Sequence, residues 1–174
     1  PHGPVPAIKT LWMGATGSVP PGLGVIKGGG KIPYNAEALE KKMENQTYWI
    51  DLDPEVKCSL PGVPRATYMP HPFQIFQGDS SVFIAYQYAG AVRDILMEDP
   101  GRAPVDSWMG QSYGQWDGDT LVVEVTSQLD STWLDRSGSH HSDKLVVTER
   151  YTPMSANHLL YEATIEDPEV FTEP

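Results

Sequence analysis

Apolar and polar positions alternate with a period of two along most of residues 72–165, the spacing of strands that bury one face. Val82, Ile84 and Tyr86 share one face, and the same alternation returns around Val123. The pattern predicts a mainly β protein of about seven strands joined mostly by short connections. Because parallel pairing needs a crossover of a dozen or more residues, we expect an antiparallel meander that curls into a barrel or half-barrel.

The clearest turn signal is Asp117-Gly118, which lies between strand-like runs at 111–116 and 120–126. Asp-Gly is a pair that readily supplies the two positive φ angles of a type I′ turn. We therefore expect a tight hairpin with these two residues at its tip.

The chain ahead of the strands has a different composition. Residues 1–34 contain six Pro and eight Gly, which oppose regular structure, yet they also carry several large apolar side chains. We expect this segment to be an arm that packs on the body of the protein. A helix is predicted over 35–49, with Asn35 as its N-cap. Residues 35–174 are predicted to form a single domain.

Charge and hydropathy exclude several classes of protein. The net charge of −11 argues against nucleic-acid binding, which needs a basic face. No apolar run approaches the roughly 18–20 residues that span a bilayer, so no transmembrane segment is predicted. Cys58 is the only cysteine, so no internal disulfide can form, and we expect it to be a small buried residue.

The long connection 127–143 holds the densest set of chemically capable side chains. His141 could transfer a proton near neutral pH, Asp135 could orient it, and Arg136 could bind an anion. A pair between His140 and Asp143 is an alternative. In a purely structural interpretation, Asp135 and Arg136 hold the backbone of their own loop and both histidines lie in water at a strand entrance.

The neighbouring histidines also raise the possibility of a metal site. Adjacent residues near a strand point to opposite faces, so His140 and His141 cannot easily bind one ion, and either His71 or His158 would have to join from elsewhere. We therefore predict no metal and no other cofactor.

A second connection, 98–110, leads into a segment that matches the nucleophile-elbow pattern Gly-x-Ser-x-Gly at 110–114. That elbow requires a strand, a sharp turn and a helix in a parallel sheet. A strand and a hairpin are predicted here instead, so Gly110 and Gly114 are interpreted as bends in a curved sheet.

Aromatic side chains could line an interior that is open at one end, as a pocket for an apolar or aromatic ligand requires. The alternative is a plain core that fills a barrel too small to be hollow. The candidates are Tyr86, Tyr88, Trp108, Tyr113, Trp116 and Trp133, with His71 held in extended backbone between two prolines.

Several motifs resemble those of an uncharacterised family of exported bacterial proteins. They are Trp108-Met109-Gly110-x-Ser112-x-Gly114-x-Trp116-x-Gly118-Asp119-Thr120-Leu121-Val122-Val123, Thr132-Trp133-x-Asp135-Arg136-x-Gly138, His141-Ser142-Asp143 and Glu149-Arg150-Tyr151. The resemblance implies a removed signal peptide and a periplasmic or secreted location, and it brings no activity with it. The predicted architecture is also similar to lipocalin-like barrels, which commonly hold small apolar ligands, although a fold alone does not fix a function.

Three hypotheses follow. In the first, the barrel mouth holds a site for an apolar or aromatic molecule, and a cofactor-free lyase, isomerase or hydrolase uses His141 as base. Asp135 orients this base, and Arg136 with Tyr113 binds a substrate oxygen. In the second, the same site binds or carries its ligand without catalysis. In the third, the chain is an accessory subunit of a cell-envelope assembly, or a homo-oligomer, that makes its contact through 1–34.

Overall fold

A computed structural model describes residues 26–174, and residues 1–25 of the predicted arm lie outside that range. The described chain is mainly β, with one seven-stranded sheet curled into a half-barrel, as predicted. Its strands lie side by side in chain order: β1 Phe73–Gln77, β2 Ser81–Tyr86, β3 Val92–Leu96, β4 Gln111–Asp117, β5 Thr120–Thr126, β6 Val146–Ser155 and β7 His158–Glu166.

The prediction of a wholly antiparallel sheet is wrong at one junction. Strands β3 and β4 pair in parallel, through Ile95 with Ser112 and Leu96 with Tyr113, whereas the other five neighbouring pairs are antiparallel. The crossover is the connection 97–110, which is long enough to return the chain to the starting end of β3 without a helix. The long loop seen in the sequence is therefore the cause of the parallel pair.

The predicted hairpin between β4 and β5 exists, but its tip is shifted by one residue. Asp117 pairs with Thr120, so the two turn residues are Gly118 and Asp119. Only Gly118 has a positive φ, at 59°, which is the sign pattern of a type II′ turn rather than the predicted type I′.

Short helices precede the sheet: α1 Ala36–Thr47, α2 Trp49–Leu52 and α3 Arg65–Tyr68, with a 3₁₀ turn at Pro54–Lys57. The Asn35 side chain caps α1 by accepting a hydrogen bond from the Ala38 amide at 2.9 Å, as predicted. The predicted helix over 35–49 is interrupted at Tyr48. Cys58, which was predicted to be buried, is exposed and has a φ of 61°.

The core lies on the concave face of the sheet and is covered by the segment that contains α3. Inward-facing side chains such as Ile84, Ile95, Val123 and Val147 have no exposed surface. Thr67 of α3 is buried against this face, within hydrogen-bonding distance of Tyr86. Helix α3 therefore helps to fill the interior, and the description of a hollow half-barrel does not apply to its centre.

Residues 26–34 lie against the last strand and the C-terminal segment. The Lys27 Nζ atom is 2.7 Å from the Glu162 carboxylate, and Tyr34 forms an isolated bridge with Phe171. Within residues 26–174, no helix has the length and the apolar character needed to cross a membrane.

Candidate functional site

The two long connections meet at one end of the half-barrel. Ser107 forms a bridge with Gln128: the Ser107 amide donates to the Ser127 carbonyl and the Leu129 amide donates to the Ser107 carbonyl, both at 3.0 Å. Ser107 belongs to the segment before β4, and Gln128 opens the connection between β5 and β6. Any site at this mouth can therefore draw on both connections.

The acid–base pair proposed between Asp135 and His141 is not formed. The Asp135 carboxylate accepts hydrogen bonds from the Ser137 amide at 2.7 Å and the Ser139 amide at 3.1 Å, as well as from both serine hydroxyls. Asp135 thus shapes its own loop, in agreement with the structural interpretation of this residue.

His141 is buried, and both of its ring nitrogens are engaged. Its Nδ1 lies 2.8 Å from the Ser142 carbonyl and its Nε2 lies 2.6 Å from the Thr132 hydroxyl. Because a carbonyl can only accept, Nδ1 carries the proton of the neutral ring. Nε2 is then the acceptor that faces the Thr132 hydroxyl, which also lies 3.1 Å from the Leu129 carbonyl. Burial lowers the pKa of His141, which favours this neutral form. Both ring nitrogens therefore make contacts within the connection 127–143.

His140 is also buried, so the part of the structural interpretation that placed both histidines in water is wrong. Burial, together with the nearby Lys41 and His141, lowers the pKa of His140 to about 4. Its Nδ1 atom has no hydrogen-bond partner among residues 26–174. A neutral ring buried in this way contributes to packing and makes stability sensitive to acid.

Arg136 and Tyr113 lie in two further environments. The Arg136 guanidinium donates through Nε and Nη2 to both carboxylate oxygens of Glu55, with Nε at 2.6 Å. Tyr113 lies on the convex face of β4, where its hydroxyl accepts from the Gln115 amide at 2.6 Å. The structure therefore does not bring the four proposed catalytic residues together.

The proposed aromatic wall is dispersed as well. Tyr86, Tyr88 and Trp133 are buried, Trp108 is half-buried, and Trp116 on β4 is 49 % exposed. Tyr86 belongs to an interior polar network, and Trp133 forms an isolated bridge with His140. His71 is exposed and stacks on Tyr88, with ring centroids 5.0 Å apart.

A buried ion pair occupies the centre of the half-barrel and was not predicted from the sequence. Arg93 of β3 donates to Glu149 of β6 at 2.6 Å and to the Ser112 hydroxyl at 2.9 Å. Arg93 and Glu149 are almost completely buried. Because Ser112 sits within a strand and binds Arg93, the segment 110–114 does not form a nucleophile elbow.

Tyrosine hydroxyls complete this network. The Glu149 carboxylate accepts from Tyr151 at 2.9 Å and from Tyr161 at 2.8 Å, while Arg93 donates to the Tyr86 hydroxyl at 3.2 Å. No polar side-chain atom of the network lacks a partner. A network that is satisfied in this way fixes the strands relative to each other.

The sequence did contain a signal for the ion pair. Arg93 lies between Ala91 and Ile95, and Glu149 lies between Val147 and Tyr151, in the inward positions of the period-two pattern. A charged side chain at an inward position of a strand is buried and needs a partner, or else the predicted strand is wrong. Two such side chains of opposite charge therefore predict an ion pair between them.

A second ionic cluster ties the connection 127–143 to the segment before α3. Arg65 is fully buried, donates to both oxygens of Asp53 at 2.9 Å, and contacts Glu55 at 2.5 Å. Burial opposes the ionisation of Glu55, but its hydrogen bonds with Arg136 and the charges of Arg65 and Arg136 outweigh burial and lower its pKa. Such a weak base is poorly suited to proton transfer at neutral pH.

Two clefts flank the short parallel pair. The first, of about 400 Å³, lies between β3 and residues 103–112. The second, of about 530 Å³, lies between the β1–β2 turn and the end of β4. Both exist because β3 and β4 touch over only two residue pairs and separate on either side of them. Neither cleft is lined by the predicted catalytic residues.

Gly110 shows how tightly the first cleft is built. Its φ is 68°, and a Cβ atom there would lie 2.6 Å from the Thr126 carbonyl oxygen and 2.7 Å from the Gln128 side chain. The chain can therefore turn into β4 beside β5 only with glycine at this position. The same tight approach brings the two long connections against each other.

The described residues contain no group of three or more His, Cys, Asp or Glu side chains that could hold a metal ion. Comparison of the chain with protein-family models, with curated proteins and with solved structures finds no match.

Proposed function

We propose that the protein binds a small, largely apolar molecule in the cleft between β3 and residues 103–112. The observation that carries this proposal is the cleft itself. Its volume of about 400 Å³ lies within the range of roughly 300–1,000 Å³ that small-molecule sites occupy. The lining is mixed. Its apolar side chains are Val92, Leu96, Ala103, Pro104, Val105 and Met109, and its polar ones are Arg93, Asp94, Ser107, Gln111 and Ser112.

The position of the cleft supports a role in binding. Its outer wall is the connection 98–110, which the bridge from Ser107 to Gln128 holds against the second long connection. Its inner wall is β3, which the ion pair of Arg93 with Glu149 fixes to the far side of the half-barrel. A concave site with rigid walls loses little conformational entropy when a ligand enters.

Binding without proton transfer is better supported than the acid–base enzyme. His141, Asp135 and Arg136 each use their polar atoms in contacts within the protein, and Tyr113 lies on the convex face. The favoured hypothesis is therefore that of a binding or carrier protein. Its resemblance to exported bacterial proteins supports a periplasmic or secreted location for this activity. A role as an envelope subunit stays a prediction.

A neutral fluorescent probe, N-phenyl-1-naphthylamine, tests the proposal. Ala103→Trp should fill the cleft and weaken saturable probe binding by about tenfold, because blocking the site removes contacts worth about 1.4 kcal/mol. The matched control is Ile50→Trp, which adds the same ring at an exposed position on α2. Equal affinity for the wild type and both variants, or no saturable binding by the wild type, would refute the proposal.

A further inference from the structure

The second cleft contains a stretch of strand edge that has no neighbouring strand among residues 26–174. Strand β3 ends at Leu96, opposite Tyr113, whereas β4 continues to Asp117. The chain leaves the sheet after Met97, whose amide still donates to the Ser80 carbonyl at 3.2 Å. The last residues of β4 therefore have β5 on one side and the cleft on the other.

The hairpin register shows which main-chain groups face this cleft. A two-residue turn makes the pair that flanks it, Asp117 with Thr120, a hydrogen-bonded pair. Successive residues of an antiparallel strand direct their N–H and C=O groups to opposite sides. Those of Trp116 therefore point away from β5 and towards the cleft, beyond the last residue pair with β3.

The side chains around this edge suit an extended, basic peptide. The Trp116 ring is 49 % exposed and offers an aromatic contact at the rim, a type of residue that often dominates binding energy. Among residues 26–174, Asp79 is the charged residue of the cleft lining, and no Lys or Arg lines it. Asp117 ends β4 and Asp119 lies in the adjacent turn, although Asp117 is paired with Arg150. The local charge is thus negative.

We propose that the second cleft binds an extended peptide segment that carries Lys or Arg. The main chain of this peptide pairs with β4 at Trp116, in the space beyond the end of β3. Main-chain hydrogen bonds supply affinity in this mode of recognition, and side chains on alternate positions supply specificity. A basic side chain of the peptide pairs with Asp79, while the Trp116 ring covers an apolar one. This site is separate from the small-molecule cleft on the other side of the parallel pair.

The probe is the peptide acetyl-Lys-Val-Lys-Val-Lys-amide, titrated by calorimetry and by ¹⁵N–¹H spectroscopy of the intact chain. We expect saturable binding, with the largest amide shift and slower hydrogen exchange at Trp116. N-methylation of the two valine amides in one probe, and of the second and third lysine amides in another, preserves the charge but removes hydrogen-bond donors. One of the two should bind about tenfold more weakly, because alternate amides of an extended peptide face β4 and only that set donates hydrogen bonds to it.

Variants of the chain separate charge from strand pairing. Asp79→Asn should weaken binding of the unmodified peptide by about threefold, since an exposed ion pair is a weak contact. Asp51→Asn, at an exposed acid on α2, is the matched control and should change nothing. Ala103→Trp should also leave peptide binding unchanged, so the two proposals fail independently.

Three outcomes would overturn the peptide site. The first is the absence of saturable binding at millimolar peptide. The second is equal affinity for the unmodified and both N-methylated peptides, which would show a purely electrostatic contact. The third is amide shifts at residues of the first cleft instead of Trp116.

Discussion

The ion pair of Arg93 with Glu149 offers the sharpest test of how this fold is held together. Three variants are needed: Arg93→Met, Glu149→Gln and the double variant. Glutamine keeps an oxygen that can accept from Tyr151 and Tyr161, and methionine keeps most of the apolar stem of arginine. The single variants leave one buried charge without its partner, whereas the double variant removes both charges.

The magnitude follows from burial. With 1 % and 0 % of their side-chain surfaces exposed, neither group can recover solvation when its partner is removed. Breaking such a pair costs about 3–5 kcal/mol, a large part of the roughly 5–15 kcal/mol by which a domain is stable. Replacing both charges is much less costly because no charge remains buried. We expect the double variant to lose about 1–2 kcal/mol, below either single loss and well below their sum.

Urea unfolding, followed by tryptophan fluorescence and far-ultraviolet circular dichroism, measures these free energies. If a single variant is too unstable to fold, it shows no cooperative unfolding transition. The double variant should then recover that transition. The reasoning is refuted if the two single losses add to within about 0.5 kcal/mol in the double variant. It is also refuted if both single losses are below about 1 kcal/mol, the range of exposed ion pairs.

Three further predictions concern urea unfolding. Gly138→Ala should cost about 3 kcal/mol, because φ is 89° and a Cβ would lie 2.8 Å from atoms of α1. Gly90→Ala is the control and should cost only about 1 kcal/mol, because its φ is 61° but a Cβ there would meet open space. Equal losses would contradict this account. Tyr86→Phe should cost about 1 kcal/mol, because its hydroxyl accepts a hydrogen bond from buried Arg93. Tyr88→Phe should cost less, because no atom of residues 26–174 is in hydrogen-bonding geometry with its hydroxyl. The reverse order would be incompatible with the structure. The pKa of His140 is lowered from 6.5 to about 4. The neutral ring therefore contributes its full stabilisation above pH 6.5, and up to about 3 kcal/mol of the free energy of unfolding is lost as the pH falls towards 4. His140→Leu should flatten the dependence of stability on pH over that interval, and an unchanged dependence would count against this account.

The sequence was most informative where a property depends on neighbouring residues. The alternation around Val82 and Val123 identified strands because a strand that buries one face must repeat with a period of two. The Asn35 cap was predictable because its side chain bonds an amide three residues ahead. The two long connections were visible as breaks in this regular spacing.

The candidate site was less predictable, because hydrogen-bond partners are set by the folded chain. Arg136 was identified as an anion-binding residue, and the anion that it contacts is Glu55, which the sequence places far away. Asp135 accepts from its own loop instead of from His141, because local backbone amides are closer and need no further ordering. Side-chain type therefore indicated capability but not assignment.

The strands, their inward faces and the places where the regular spacing breaks could be predicted from the amino-acid order, since these follow from local periodicity and turn chemistry. The folded chain was needed to show that the connection 97–110 returns the chain to pair β3 and β4 in parallel. It alone showed that two clefts open on either side of that pair. The direction of a long connection depends on which surfaces it can bury, and that is a property of the whole folded chain.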